Sequence, residues 1–416
     1  MRILSAMVRL TRSEQQARTR SAVLAAARDE FGEHGYTDAK VDRIAERADL
    51  TRGAVYSNFA GKRQLYLAVL LEAASHLRAP TLSPSGHLFP GDLPSADLPF
   101  AGLPFAGPSL AGPAEVAESV ARAWLDRLPL AGDTAAGARL RSASLAGVFD
   151  DEPGRTASAE LTRLEALLLA LALERAGSAP GRRVRLAELI LALLHGAAEL
   201  ARSAPGFGDP FDVVRACRHL TAIDLPDSWD PPHLAFVEPA QPSGETWTAP
   251  TGLTDELTGR AADLRADGLV VVLGSGRLSA AEEAVRAARP GDTITVAAVT
   301  GDPAETGALV RLRLTILLSC LTGPRARPPG ERAADVRPAA VPPAGPTLPV
   351  VVPPGGPAVP AGDRWFQLVL DDRGEVAAVV CAEPGDGTEV AVRVRGGVIV
   401  ARASGRGAGH AVAVAS

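Results

Sequence analysis

At 416 residues the chain exceeds what one ordinary core serves, and 34 prolines, gathered between periodic stretches, divide it into two or three folded units. Its net charge of −5 would repel a polyanion if spread evenly, but residues 1–66 hold 12 Lys plus Arg against 8 Asp plus Glu, so this segment is +4 and the remainder −9 (−5 minus +4). Three distant cysteines without a CxxC pair exclude a disulfide framework and a zinc site and suit a reducing cytoplasm, and the longest wholly apolar run, 166–173, is under half of the ~20 residues that span a bilayer.

Residues 1–13 interleave arginines with short apolar runs, an N-terminal arm rather than a signal peptide. Over 13–34, Val23, Leu24, Ala27 and Phe31 recur at helical spacing, and Gly35 ends that helix. A second helix is predicted over 40–48, then the turn Asp49-Leu50, a third helix over 51–59 with Thr51 as N-cap, and a fourth from Lys62 that turns Leu65, Val69 and Leu70 inward. Residues 14–78 thus form a compact helical domain. Residues 79–113, rich in Pro and Gly with the near-repeat LPFAGLPFAG, read as a loop.

Helical periodicity returns over 114–222, with helices at 114–128, 155–176, 183–203 and 209–222. The third carries a wide apolar stripe from Leu186 through Leu193 to Leu200 that needs a partner helix. Beyond it we expect a linker (223–265) and a small α/β unit (266–322) with strands 268–273 and 293–299 and helices 279–289 and 305–321. A Pro-rich linker (323–362) follows, and then a β-meander (363–416) with strands 365–370, 376–382 and 389–401. The fold class is mainly α with an α/β and β-rich C-terminal extension.

The run GYTDAKVDRIAERADLTRGAVYSNFAGKRQLYLAVL, Gly35 to Leu70, resembles the DNA-binding signature of the tetracycline-repressor (TetR) family in residue type and spacing. The likeness is strong over 14–72 and looser to 222. In a helix-turn-helix the first helix braces the second, whose outward side chains enter the major groove. With Val55 and Phe59 inward, Arg52, Gly53, Ala54, Tyr56, Ser57 and Asn58 face outward beside Thr51. Arg52 has the fork that pairs with guanine O6 and N7.

The resemblance also implies that Tyr56 and Lys62 contact backbone phosphate. Lys40 and Lys62, the only lysines, each open a helix, where a cation is disfavoured by the helix dipole unless an anion also visits; the bland alternative is a solvated surface cation. Tyr36 and Tyr66 are expected to join the helical core. Asp49 stands where the family usually has Gly, and Ala39 replaces the common hydroxyl cap; Asp tolerates a left-handed backbone, so the turn survives.

A regulator, in all expectation a repressor, then follows. It binds a double-stranded DNA operator as a homodimer joined through about 183–222, and a small-molecule effector of unread identity releases it, with no cofactor, metal, catalytic residue or membrane. His195 and His219 lie on the dimer helices, where structural histidines are commoner than ligands. The alternative is an enzyme or nucleotide-binding protein built on the C-terminal region. Gly274-Ser275-Gly276 sits between a strand and a helix like a phosphate turn, but it lacks a third glycine and a GxSxG elbow, with only His233 and His410 downstream. Under the regulator reading a chain ending near residue 222 keeps both operator binding and effector response; binding with the response lost would place sensing in the tail.

Overall fold

The computed structural model describes residues 11–78, 112–128, 139–140, 142–177, 181–322 and 365–415. Most of the expected arm, all but the end of the 79–113 loop and the whole 323–362 linker lie outside them.

Helix α1 (Arg12–Asp38) begins at a capping box, in which Thr11 Oγ1 accepts from the Glu14 amide and the Glu14 carboxylate accepts from the Thr11 amide. Gly35, at φ 69° and ψ −178°, breaks it where the sequence places its end. Then come α2 (Val41–Arg47), α3 (Arg52–Tyr56) and α4 (Lys62–Arg78). Asp49 adopts the left-handed conformation, φ 54°, and the next amide, Leu50, closes on Ala45 O at 2.9 Å. Phe31, Ile44, Val55, Phe59 and Leu65 are buried between the four helices, with Tyr66 edge-on to Phe31 at 4.8 Å.

The second helical group is α5 (Pro113–Leu125), α6 (Glu152–Ala176), α7 (Val184–Ser203) and α8 (Pro210–Leu220). Asp151 starts α6 three residues earlier than the periodicity suggests, because its carboxylate accepts from the Gly154 amide. Among the described residues no helix is long and apolar enough to cross a membrane.

The C-terminal part departs most from expectation. Its strands are β1 (Gln241–Thr246), β2 (Thr254–Asp255), β3 (Arg260–Ala261), β4 (Gly268–Gly274), β5 (Thr293–Val299), β6 (Phe366–Leu370), β7 (Glu389–Arg395) and β8 (Val398–Ser404). The helices are α9 (Ala281–Ala287), α10 (Thr306–Thr322), α11 (Glu375–Val379) and α12 (Ala408–Val414). Six strands form one mixed sheet in the order β1-β8-β7-β4-β5-β6, with β4, β5 and β6 parallel and the other neighbours antiparallel. The strands expected of a separate α/β unit and a separate meander therefore share one sheet, and the expected linker supplies its edge strand β1.

Two element assignments are corrected. Residues 376–382 are not a strand: the Asp371 carboxylate accepts from the amides of Glu375, Val376 and Ala377 at 2.7, 3.0 and 2.9 Å, which nucleates α11 instead. Residues 389–401 are not one strand but a hairpin, because Gly396 and Gly397, at φ 56° and 76°, make a two-residue turn between β7 and β8. The helix expected over 279–289 is shortened to α9 behind a 3₁₀ turn at Leu278–Ala280.

One apolar cluster runs from α1 through the helices to the near face of the sheet, and a second, around Trp247, Val272 and Val376, covers the far face. β4 is buried at every position, which explains its unbroken apolar run. Helix α10 follows β5 and packs against α4, α5 and α6, so it serves both halves of the chain. Its Arg313 donates to Glu165 on α6 at 2.8 Å and to Thr162 at 3.1 Å.

Candidate nucleic-acid interface

Two short helices joined by a tight turn project from the first core, and the way α3 is held decides which side chains it offers. Thr51 is its N-cap, with Oγ1 accepting from the Ala54 amide at 3.2 Å. Val55 and Phe59 are 1% exposed and anchor the helix from beneath, so Thr51, Arg52, Gly53, Tyr56 and Ser57 stand exposed on the opposite side. Ala54 and Asn58 are half-buried at the flank, and the Asn58 side-chain amide donates to Ala54 O at 2.9 Å.

Arg52 projects freely but is not idle. Its guanidinium lies 3.2 Å from Asp42 on α2 and 5.5 Å from the Tyr56 ring. The hydrogen bond to Tyr56, followed by the Asp42 charge, raises its pKa. Both partners of the Arg52–Asp42 pair are more than half exposed, so water and salt screen the attraction. Asp42 was not among the sequence candidates; its spacing from Arg52 across the turn is the signal that could have found it.

The lysines differ. Lys40 is exposed at the N-cap of α2, its backbone amide donating to buried Glu30 at 2.9 Å while its side chain makes no capping bond. Lys62 is half-buried: Nζ donates to Thr37 O at 3.0 Å and lies 4.9 Å from the Tyr36 ring centroid. Partial burial lowers its pKa against the opposing pull of Asp38 and Glu30. The ammonium is thus directed towards the α1 end of the turn, and reaching a phosphate would require it to leave Thr37.

Charge also braces the motif from behind. Glu30, fully buried on α1, receives Arg43 Nη2 at 2.6 Å, and neighbouring Glu33 receives Arg47 Nη2 at 2.5 Å. Burial would raise the Glu30 pKa, but the bonds from Arg43 and the Lys40 amide bring it below the usual value. Glu30, Glu33 and His34 bring three donor atoms within 4.8 Å, a spacing that could suit a cation, yet the two guanidinium groups already neutralise them.

Elsewhere, the glycines around Ser275 have a structural explanation. A Cβ on Gly274 would overlap the carbonyls of Gly385 and Asp386, and the Gly274 and Gly276 amides already donate to Thr388 O and Asp386 O at 2.7 and 2.9 Å. Two of the amides that would cradle a phosphate, those of Gly274 and Gly276, are thus taken up by the 383–388 loop. His195 is edge-on to Trp124 at 5.0 Å with its Nε2 buried and unpartnered, and His219 is exposed on α8.

A basic, exposed recognition helix braced by a second helix defines a helix-turn-helix DNA-binding domain. Residues 23–69 match the model of the bacterial regulatory proteins of the tetR family. The chain is 37% identical over 73 residues to a transcriptional repressor, AcnR, of Corynebacterium efficiens, covering 18% of this chain and 38% of that one. It is 44% identical over 64 residues to the transcriptional regulator SrpR of Pseudomonas putida, covering 15% and 30%. The chain therefore spans about a third of the length of these relatives. A solved structure of the multidrug binding protein EbrR with imidazole aligns over 54% of this chain and all of its own at 19% identity and a TM-score of 0.33, a likeness too loose to argue from.

Proposed function

We propose that the whole chain is a transcriptional regulator, most simply a repressor, that grips an operator as a homodimer and lets go when a small-molecule effector binds its helical region. The observation that carries this reading is the outward row Thr51, Arg52, Gly53, Tyr56 and Ser57 on a helix anchored only through its opposite face. Arg52 reads a base edge, Thr51, Gly53, Ala54, Ser57 and Asn58 fit the groove wall, and Lys40, Tyr56 and Lys62 hold phosphates.

Dimerisation is supported by apolar surface in the expected place. Leu189 and Leu200 on α7, with Phe207 and Phe211 at the entry to α8, are all more than 40% exposed and lie within 183–222. Two copies joined there would present two recognition helices to half-sites about 34 Å apart. For the effector, the unpartnered Nε2 of His195 is a buried polar atom that the helical region offers.

The test is duplex binding against salt. Arg52→Ala should lose about 1–3 kcal/mol of preference for operator over random duplex. Lys62→Ala should weaken both alike and reduce the slope of log K against log salt by about 0.9. Equal losses on every sequence from both variants would overturn these roles, and absence of affinity for any duplex at low salt would overturn the function.

A further inference from the structure

A carboxylate from the sheet domain sits where the reading head would meet phosphate. Arg63, in the first turn of α4, has its guanidinium over the Phe149 ring at 4.9 Å. Its Nη2 lies 2.7 Å from Asp151, the N-cap of α6, and its Nη1 lies 3.3 Å from Glu305. Glu305 comes from beyond residue 222, immediately before α10. Its Oε1 also lies close over Gly61, at 3.4 Å from where a Cβ would stand. A negative charge is therefore held against the N-terminus of α4, the end whose dipole, with neighbouring Lys62, favours an anion.

The position of Glu305 is determined by the sheet. Its amide donates to Asp302 at 3.1 Å, and its carbonyl receives the Leu309 amide as α10 begins. The loop from β5 is tied further back, since Asp386 accepts from Thr300 Oγ1 at 2.6 Å, Gly301 N at 3.2 Å and Ser275 Oγ at 2.7 Å. Helix α10 then runs against α4 itself. A connected series of bonds thus joins the 383–388 loop, the β5–α10 loop, Glu305 and the start of α4.

We propose, resting on the DNA-binding reading above, that the sheet domain regulates the reading head through Glu305, which shares Arg63 with Asp151 and adds a negative charge that repels phosphate at the N-terminus of α4. Movement of the β5–α10 loop withdraws one of the two carboxylates that hold Arg63, leaving Asp151 as its partner and the phosphate-binding end less negative by one charge. The sheet domain acts as an intramolecular competitor of the DNA backbone. Base readout by α3 is untouched, so the control is over affinity rather than sequence preference.

The experiment measures binding of the full chain to operator and random duplexes over a salt series. Glu305→Gln should raise affinity for both about two- to fivefold at low salt and steepen the salt slope by up to about one, with the gain fading as salt rises. Glu305→Asp, which keeps the charge, should remain near wild type. A Glu305→Gln protein of unchanged or weaker affinity at low salt overturns the proposal. If the unaltered chain binds no duplex, the DNA-binding reading itself fails, a result separable from the first.

Discussion

Glu283 shows how much the setting of one side chain can decide. It lies on α9, almost fully buried, with Oε1 2.9 Å from His233 Nε2 and Oε2 without a partner. Burial, reinforced by the nearby Glu389 carboxylate, pushes its pKa up from 4.5 to about 7. Between those values the native state binds the extra proton, so this group's contribution to stability is full below about pH 4.5 and is lost as pH rises through about 7. Glu283→Gln should therefore melt higher than wild type at pH 8, with the advantage gone near pH 5. Burial lowers the His233 pKa, which acts in the opposite sense, but His233 is present in both proteins. Parallel curves of Tm against pH would refute the assignment. Nothing in the sequence places His233 beside Glu283, because fifty residues separate them.

At the scale of elements, the helix-turn-helix was legible because its instructions are local. Val55 and Phe59 are four residues apart, so both fall on one helical face, and both are buried. Thr51 caps α3 as its chemistry suggests, and Asp49 takes the left-handed turn. Since a β-branched side chain is strained at φ 54°, Asp49→Val should cost about 1–2 kcal/mol in denaturant unfolding. Asp49→Gly should stay within about 0.5 kcal/mol of wild type, glycine's ease at that φ offsetting its freedom in the unfolded chain. Equal stability of the two variants would show that the turn tolerates either backbone. The error at 376–382 is local too: a run of Val and Ala suits a strand, but Asp371 caps the chain into a helix first.

For the whole molecule, α10 matters most. Leu309, Leu312, Leu317 and Cys320 are fully buried, and the helix packs on α4, α5 and α6 as well as following β5. A chain ending at residue 222 would strip α10 from those helices and leave Glu165, 1% exposed, without Arg313. We expect the truncated chain to lack the cooperative melting of the full protein, in place of the autonomous operator binding that the sequence suggests. Arg313→Leu in the full chain should cost about 3–5 kcal/mol by leaving a buried carboxylate uncompensated. A truncated chain that melts cooperatively near the full-length Tm would overturn this view.

Short-range pattern alone determined the four N-terminal helices, the faces they bury and the exposed row Thr51, Arg52, Gly53, Tyr56 and Ser57, since caps, turns and helical periodicity act within a few positions of the chain; Ala54 and Asn58, expected outward, are half-buried. The joining of β7 to β4, the conversion of an expected linker into β1, the contact of Glu305 with Arg63 and the insertion of α10 among the earlier helices were decided only in three dimensions. Those partners stand more than a hundred residues apart, and a strand buried on both faces carries no periodic mark of which neighbour it will join.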